Sequence, residues 1–125
     1  MSEPATATVK CEFLQLGNEV ALVTGAGSVS ARGGWDRGDC PSVRAEVSVG
    51  LQAKDDGHWR DIVWTTTAIG PPGGHAEAYS RCRNAKRTKW RSIIDVDVVD
   101  ATDDAKQLVT ESHRLRCRPD FPPDK

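Results

Sequence analysis

The sequence predicts an all-β protein, two antiparallel sheets stacked as a sandwich of about seven strands, and three observations predict it. Residues 43–53 alternate apolar and polar without a break. Turn residues recur at about the eight-to-twelve-residue spacing of sandwich folds. Four cysteines lie far apart, as cross-links between distant strands require. At 125 residues the chain has one domain's length and can bury roughly two thirds of its unfolded surface. A net charge of -1 supplies no whole-molecule field to draw in nucleic acid. The apolar run at 20–23 is far below the roughly 18 residues of a membrane helix, so no span is expected.

Taken in order, residues 6–16 and 20–24 read as two strands joined at Gly17-Asn18, and the glycine-rich stretch 25–39 holds at most another short strand. In 43–53, Val43, Ala45, Val47, Val49, Leu51 and Ala53 alternate with Arg44, Glu46, Ser48, Gly50 and Gln52, one face for the core and one for water. Asp55, Asp56 and Gly57 supply a hairpin turn, because Asp and Gly reach positive φ cheaply. The return strand runs over 58–67 with Trp59, Ile62, Val63, Trp64 and three threonines, and its alternation slips near Asp61, the mark of a bulge.

Residues 70–74, Gly-Pro-Pro-Gly-Gly, form a loop between two halves, since proline lacks a donor. Ala76, Ala78, Ser80 and Cys82 then line one side of a strand, and Glu77, Tyr79, Arg81 and Arg83 the other. A basic turn over 84–89 leads to a strand over 90–99 with Trp90, Ser92, Ile94, Val96 and Val98 on one face. Residues 101–107 are a polar connection, 108–117 the last strand, and 118–125 a loose proline-rich tail outside a domain of residues 1–117. No helix is expected beyond a single turn at 103–108. The whole is expected to be a single β-sandwich.

Cys11, Cys40, Cys82 and Cys117 form no Cys-x-x-Cys pair, which disfavours zinc. Two disulfides are the expectation, with Cys11–Cys40 and Cys82–Cys117 one of three connectivities; four reduced, buried thiols are the alternative. Disulfides imply an oxidising, extracellular compartment. The start of the chain carries no secretory signal, so Met1 is expected to stand in place of a removed one.

The stretch VALVTGAG at 20–27 looks like the opening strand and glycine turn of a short-chain dehydrogenase, where glycines let the backbone approach a pyrophosphate. That family's later glycines fall at Val29 and Ala31 here, so the stretch reads as strand and loop, with no cofactor. His58, His75 and His113 are scattered, and no nucleophile or zinc motif surrounds them, so no catalytic residue is expected. The acidic run Asp95, Asp97, Asp100, Asp103 and Asp104 lacks the glycine and terminal Glu of an EF-hand, so no metal is assigned.

The strongest charge feature is a basic hairpin, in which Arg81, Arg83, Lys86, Arg87, Lys89 and Arg91 fall within 81–91 without one acid. Its tip suits an acidic protein surface or a polyanion, with Trp90 as a stacking face; the plainer reading is a solvated turn paired with the acidic run. Trp59, Trp64 and Trp90 sit on expected strands, whereas Trp35 sits in an expected loop, as an exposed contact or a lid over the sandwich end.

Over roughly 45–117 the chain resembles the small secreted two-disulfide β-sandwich proteins of actinobacteria, through VGLQAKDDGHWRDI, EAYSRC and KWRSIIDVDV before LRC. Its first third, ATATV, then VALVTGAG, then Asp39-Cys40, is similar in order and spacing to the apoproteins of enediyne antibiotics such as neocarzinostatin. The second resemblance implies a seven-stranded immunoglobulin-like fold. That family closes a short disulfide just after this point, whereas this chain has no cysteine between Cys40 and Cys82.

The function expected is a secreted, non-enzymatic protein-interaction module, for example an adaptor in a larger toxin-like assembly. Its partner is expected to be another secreted protein, contacted through a sheet edge or through Trp35, Arg83, Lys86, Arg87, Lys89 and Trp90. The rival expectations are a small-molecule carrier, which needs an apolar cleft, and an extracellular enzyme inhibitor, which needs a rigid exposed loop.

Overall fold

The computed structural model describes residues 9–10, 14–17, 20–23, 27–36, 44–69, 75–98, 101–102 and 107–123. In chain order the strands are β1 (Val9–Lys10), β2 (Leu14–Gly17), β3 (Ala21–Val23), β4 (Ser28–Asp36), β5 (Ala45–Asp55), β6 (His58–Ile69), β7 (His75–Arg81), β8 (Asn84–Val98), β9 (Ala101–Thr102), β10 (Leu108–Val109) and β11 (His113–Arg118). None of the described residues is helical.

The larger sheet grows from the hairpin expected around Asp56-Gly57. β5 pairs antiparallel with β6 from Asp55↔His58 to Ala45↔Ile69. The turn holds Asp56 at φ 54° and Gly57 at φ 84°, and two positive values in a two-residue loop match the right-handed twist of the strands. The expected slip near Asp61 is real: Leu51 pairs with Val63 and Gln52 with Asp61, leaving Ile62 bulged. On its other side β5 pairs with β8, from Ala53↔Trp90 to Ala45↔Val98. β10 and β11 lie end to end on the far edge of β8, opposite Ile93–Ile94 and Asn84–Trp90 respectively.

In the smaller sheet β4 is central. β7 pairs with it from Ser28↔Arg81 to Gly34↔His75, and because that edge is occupied, β2 and β3 both lie on the other edge, one after the other. Merging these end-to-end segments leaves four strand positions in the larger sheet and three in the smaller, the expected seven. A short parallel pair, β1 with β9, stands apart. Both main sheets are antiparallel and pack as an immunoglobulin-like sandwich.

The core follows the alternation. Val47, Val49, Leu51 and Ala53 from β5 and Trp90, Ile94 and Val96 from β8 are buried against Val29, Ala31 and Trp35 of β4 and Ala76 and Ala78 of β7. Full burial of each large side chain contributes about 1.5–3 kcal/mol. One expected disulfide is present: Cys82 is bonded to Cys117. The crossover holding Cys82 is tied to both sheets, since the Cys82 amide donates to the Gly27 carbonyl (2.8 Å) and the Arg83 amide to that of Arg118 (2.6 Å). Cys11, Cys40, the loop 70–74, Asp39, Asp100, Asp103 and Asp104 lie outside the described residues.

Four expectations are corrected. The stretch 25–39, expected to hold another short strand, contains a nine-residue central one, β4. Residues 84–89 form no turn: they are the first half of β8, and β7 and β8 belong to different sheets, so no basic hairpin exists. Trp35 is not exposed; it is a fully buried strand residue. The tail is docked as far as Pro122, with Pro119 buried, Phe121 packed on the core, and the Arg60 and Arg118 guanidinium groups 5.3 and 4.9 Å from the Phe121 ring centre. Arg60 also donates to the Pro122 carbonyl.

Candidate binding face

β8 is longer than the hairpin beside it. Its pairing with β5 stops at Trp90, whereas its pairing with β11 continues to Asn84, so residues 84–89 and β11 form a two-stranded ribbon extending past the β5–β6 turn. On that ribbon Arg87 stands directly opposite Arg116, and Lys89 opposite Arg114. Two like-charged rows result. Such pairs are destabilising across a ladder, and Lys86, Arg87, Lys89, Arg114 and Arg116 form no ion pair with any described residue.

Two nearby acids, Asp55 and Asp120, are already engaged. Asp55 bridges Arg60 (3.1 Å) and Arg118 (3.6 Å), and Asp120 meets Arg83 at 3.6 Å, an exposed pair of small worth. Lys54, Arg87, Lys89, Arg114 and Arg118 rim a shallow, open groove of about 310 Å³ whose floor includes Thr88 and Gly57. Beside it, the Arg91 guanidinium lies 4.2 Å and the Lys54 ammonium 5.3 Å from the Trp59 ring centre. Arg91 also donates to Gln52 Oε1 (2.7 Å), and Gln52 Nε2 donates to Asp61 (2.7 Å), which fixes Arg91 along the sheet.

The free edge of the ribbon is closed to main-chain pairing at Lys86. Its amide donates to Asn84 Oδ1 (2.9 Å), and its carbonyl accepts from Thr88 Oγ1 (3.1 Å). Side chains thereby occupy the groups an added strand would use. Recognition on this ribbon falls to the cationic side chains.

Of the residues expected to contact a partner, Arg83, Lys86, Arg87 and Lys89 cluster here, but the two tryptophans do not. Trp35 and Trp90 are both fully buried, and Trp90 Nε1 donates to the Cys117 carbonyl (2.8 Å), tying the ribbon's root to the strand that carries the disulfide. Sequence reasoning missed Arg114, Arg116, Arg118 and Lys54; the alternation Arg114-x-Arg116-x-Arg118 was the available signal. The acidic residues Asp95 and Asp97 lie at the far end of β8, not against the basic segment. His58, His75 and His113 begin β6, β7 and β11 respectively. No group of three or more metal-ligating side chains occurs among the described residues.

Among the described residues, the space between the sheets is closely packed. Trp35, Trp90, Leu51 and Ile94 are fully buried there, and a β-carbon on Gly33 would lie 2.9 Å from both Ile94 Cγ1 and Val49 Cγ2. No described helix is long and apolar enough to cross a membrane. The molecule is thus a disulfide-linked β-sandwich with a cationic ribbon at one end of its larger sheet. No protein-family model, curated protein or solved structure matches the chain.

Proposed function

We propose that this chain is a secreted, non-enzymatic protein-interaction module that docks on an acidic surface of another secreted protein through the ribbon of β8 and β11. The observation that carries this reading is the pair of like-charged rows, Arg87/Arg116 and Lys89/Arg114, held opposite one another and ion-paired to no acid among the described residues. An arrangement that costs stability in the isolated molecule is explained when an external anionic surface neutralises it. An adaptor subunit in an extracellular assembly is the role this fits. The carrier reading has less support, because the groove is open and cation-rimmed and the inter-sheet space is occupied by Trp35 and Trp90.

Affinity capture from the source organism's secreted proteins, on immobilised wild type and on a Lys86→Ser/Arg87→Ser/Arg116→Ser variant, tests this. The expected result is a protein retained by wild type at low salt, released as salt rises, and lost from the variant. Equal retention by both at low and moderate salt would overturn it.

A further inference from the structure

The outer face of the larger sheet carries a second pattern. Across its middle runs one row, Trp64 on β6, Gly50 on β5, Ile93 on β8 and Val109 on β10, aligned by the pairs Gly50↔Trp64, Gly50↔Ile93 and Val109↔Ile93. The row is apolar. Trp64 and Val109 are 40% and 47% exposed, two of the four large hydrophobic residues exposed among those described. The Trp64 ring lies flat on Gly50, since a β-carbon there would meet Cε2, Cδ2 and Cζ2 at 2.5–2.7 Å, and its other side is left toward solvent.

Charge is arranged about that row with opposite signs. Four residues to one side stand Glu46 on β5 and Asp97 on β8, paired with one another; four residues to the other side stand Lys54 on β5 and Lys89 on β8, both on the groove rim. Arg91 and Asp95 repeat the pattern two residues from Ile93. Glu46, Asp97 and Lys89 form no ion pair among the described residues.

We infer that this face associates with a second copy of the chain. A two-fold axis lying in the plane of the face, along the Trp64–Gly50–Ile93–Val109 row, turns the acidic end of one copy onto the cationic end of the other. It sets Glu46 against the partner's Lys54, sets Asp97 against the partner's Lys89, and lays the apolar row on its own copy. This is the self-complementarity an isologous dimer requires. The alternative axis, parallel to the strands, stacks like charge on like. Four strands about 4.8 Å apart over eight residues cover about 500 Å² per copy, or about 1,000 Å² in all, the lower limit for a specific interface. The dimer is accordingly weak and concentration-dependent. The inference shares Lys89 with the proposed partner surface but does not rest on that reading, since Arg87 and Arg116 lie beyond the rows it uses.

Sedimentation velocity of the purified protein from about 10 µM to 1 mM tests it. The expected result is a reversible monomer–dimer equilibrium that weakens with salt. Glu46→Lys and Lys54→Glu each raise the dissociation constant about tenfold or more, and the two together on one chain restore it to within about threefold. Residues 46 and 54 are about 26 Å apart along one strand, so such rescue can come only from another molecule. Trp64→Ser weakens the dimer, whereas the serine variant of the ribbon leaves it intact. A monomer at every concentration, or a double swap no tighter than either single one, would overturn the inference and leave the partner proposal standing.

Discussion

A β-carbon added at Gly33 would lie 2.9 Å from Ile94 Cγ1 and Val49 Cγ2 and 3.0 Å from Ile94 Cγ2, all on fully buried side chains of the opposite sheet. Those groups are hemmed in by close packing and cannot yield without strain. Gly33→Ala is therefore expected to lower stability by about 1–3 kcal/mol in urea unfolding. Val49→Ala removes the Cγ2 methyl that the new β-carbon would meet, so the two substitutions together should cost less than their sum, a coupling that a double-mutant cycle measures. Gly50 makes an instructive contrast. A β-carbon there would come even closer to Trp64, at 2.5 Å, but Trp64 is 40% exposed and can swing outward. Gly50→Ala should cost less stability than Gly33→Ala while shifting tryptophan fluorescence toward that of a solvated indole.

At the scale of elements, the ribbon of β8 and β11 is a strained design held at its Asn84 end. Its like-charged rows repel, and the Cys82–Cys117 bridge, together with the Arg83–Arg118 backbone bond, joins the strands at the same end. A disulfide between residues 35 apart is worth roughly 3–4 kcal/mol in the chain-entropy description. Replacing both cysteines by alanine should cost about that much, and the loss should be larger at low salt, where repulsion is least screened. Thermal melting of the variant across salt concentrations checks both parts. The hairpin of β5 and β6 was legible in the sequence, because a sheet wet on one side and dry on the other leaves strict alternation. β4 was not, because its inward positions include Ala31 and Gly33, small residues that read as loop but here admit the opposite sheet. The nine-residue strand exists because of what it faces.

Considered as a whole, the molecule is nearly neutral, at -1, yet its charges are sorted along the strands of one sheet. Cations gather toward the Asn84 end of β8 and acids toward the Val98 end. Arg116→Thr relieves the row it shares with Arg87 and is expected to raise stability by up to about 1 kcal/mol at low salt. The gain should disappear as ionic strength rises. No gain at low salt in chemical unfolding would show that the row costs nothing, and the argument from strain to binding would fail.

Half of the cationic face was visible in the basic run 81–91. The other half, Arg114 and Arg116, lies more than twenty residues further along and joins it only through the register of β11 on β8. Phe121 likewise reads as part of a loose proline-rich tail until Arg60 and Arg118 are placed beside it.

Alternation and turn chemistry determined the all-β class and the central hairpin, because each follows from interactions local in the chain, whereas cysteine spacing left Cys82–Cys117 in one of three connectivities until the structure selected it. Which charges meet, which tryptophans are buried and where glycine serves as core were decided only by the tertiary structure. Those outcomes depend on strand register and sheet separation, and both are set by contacts between residues distant in the sequence.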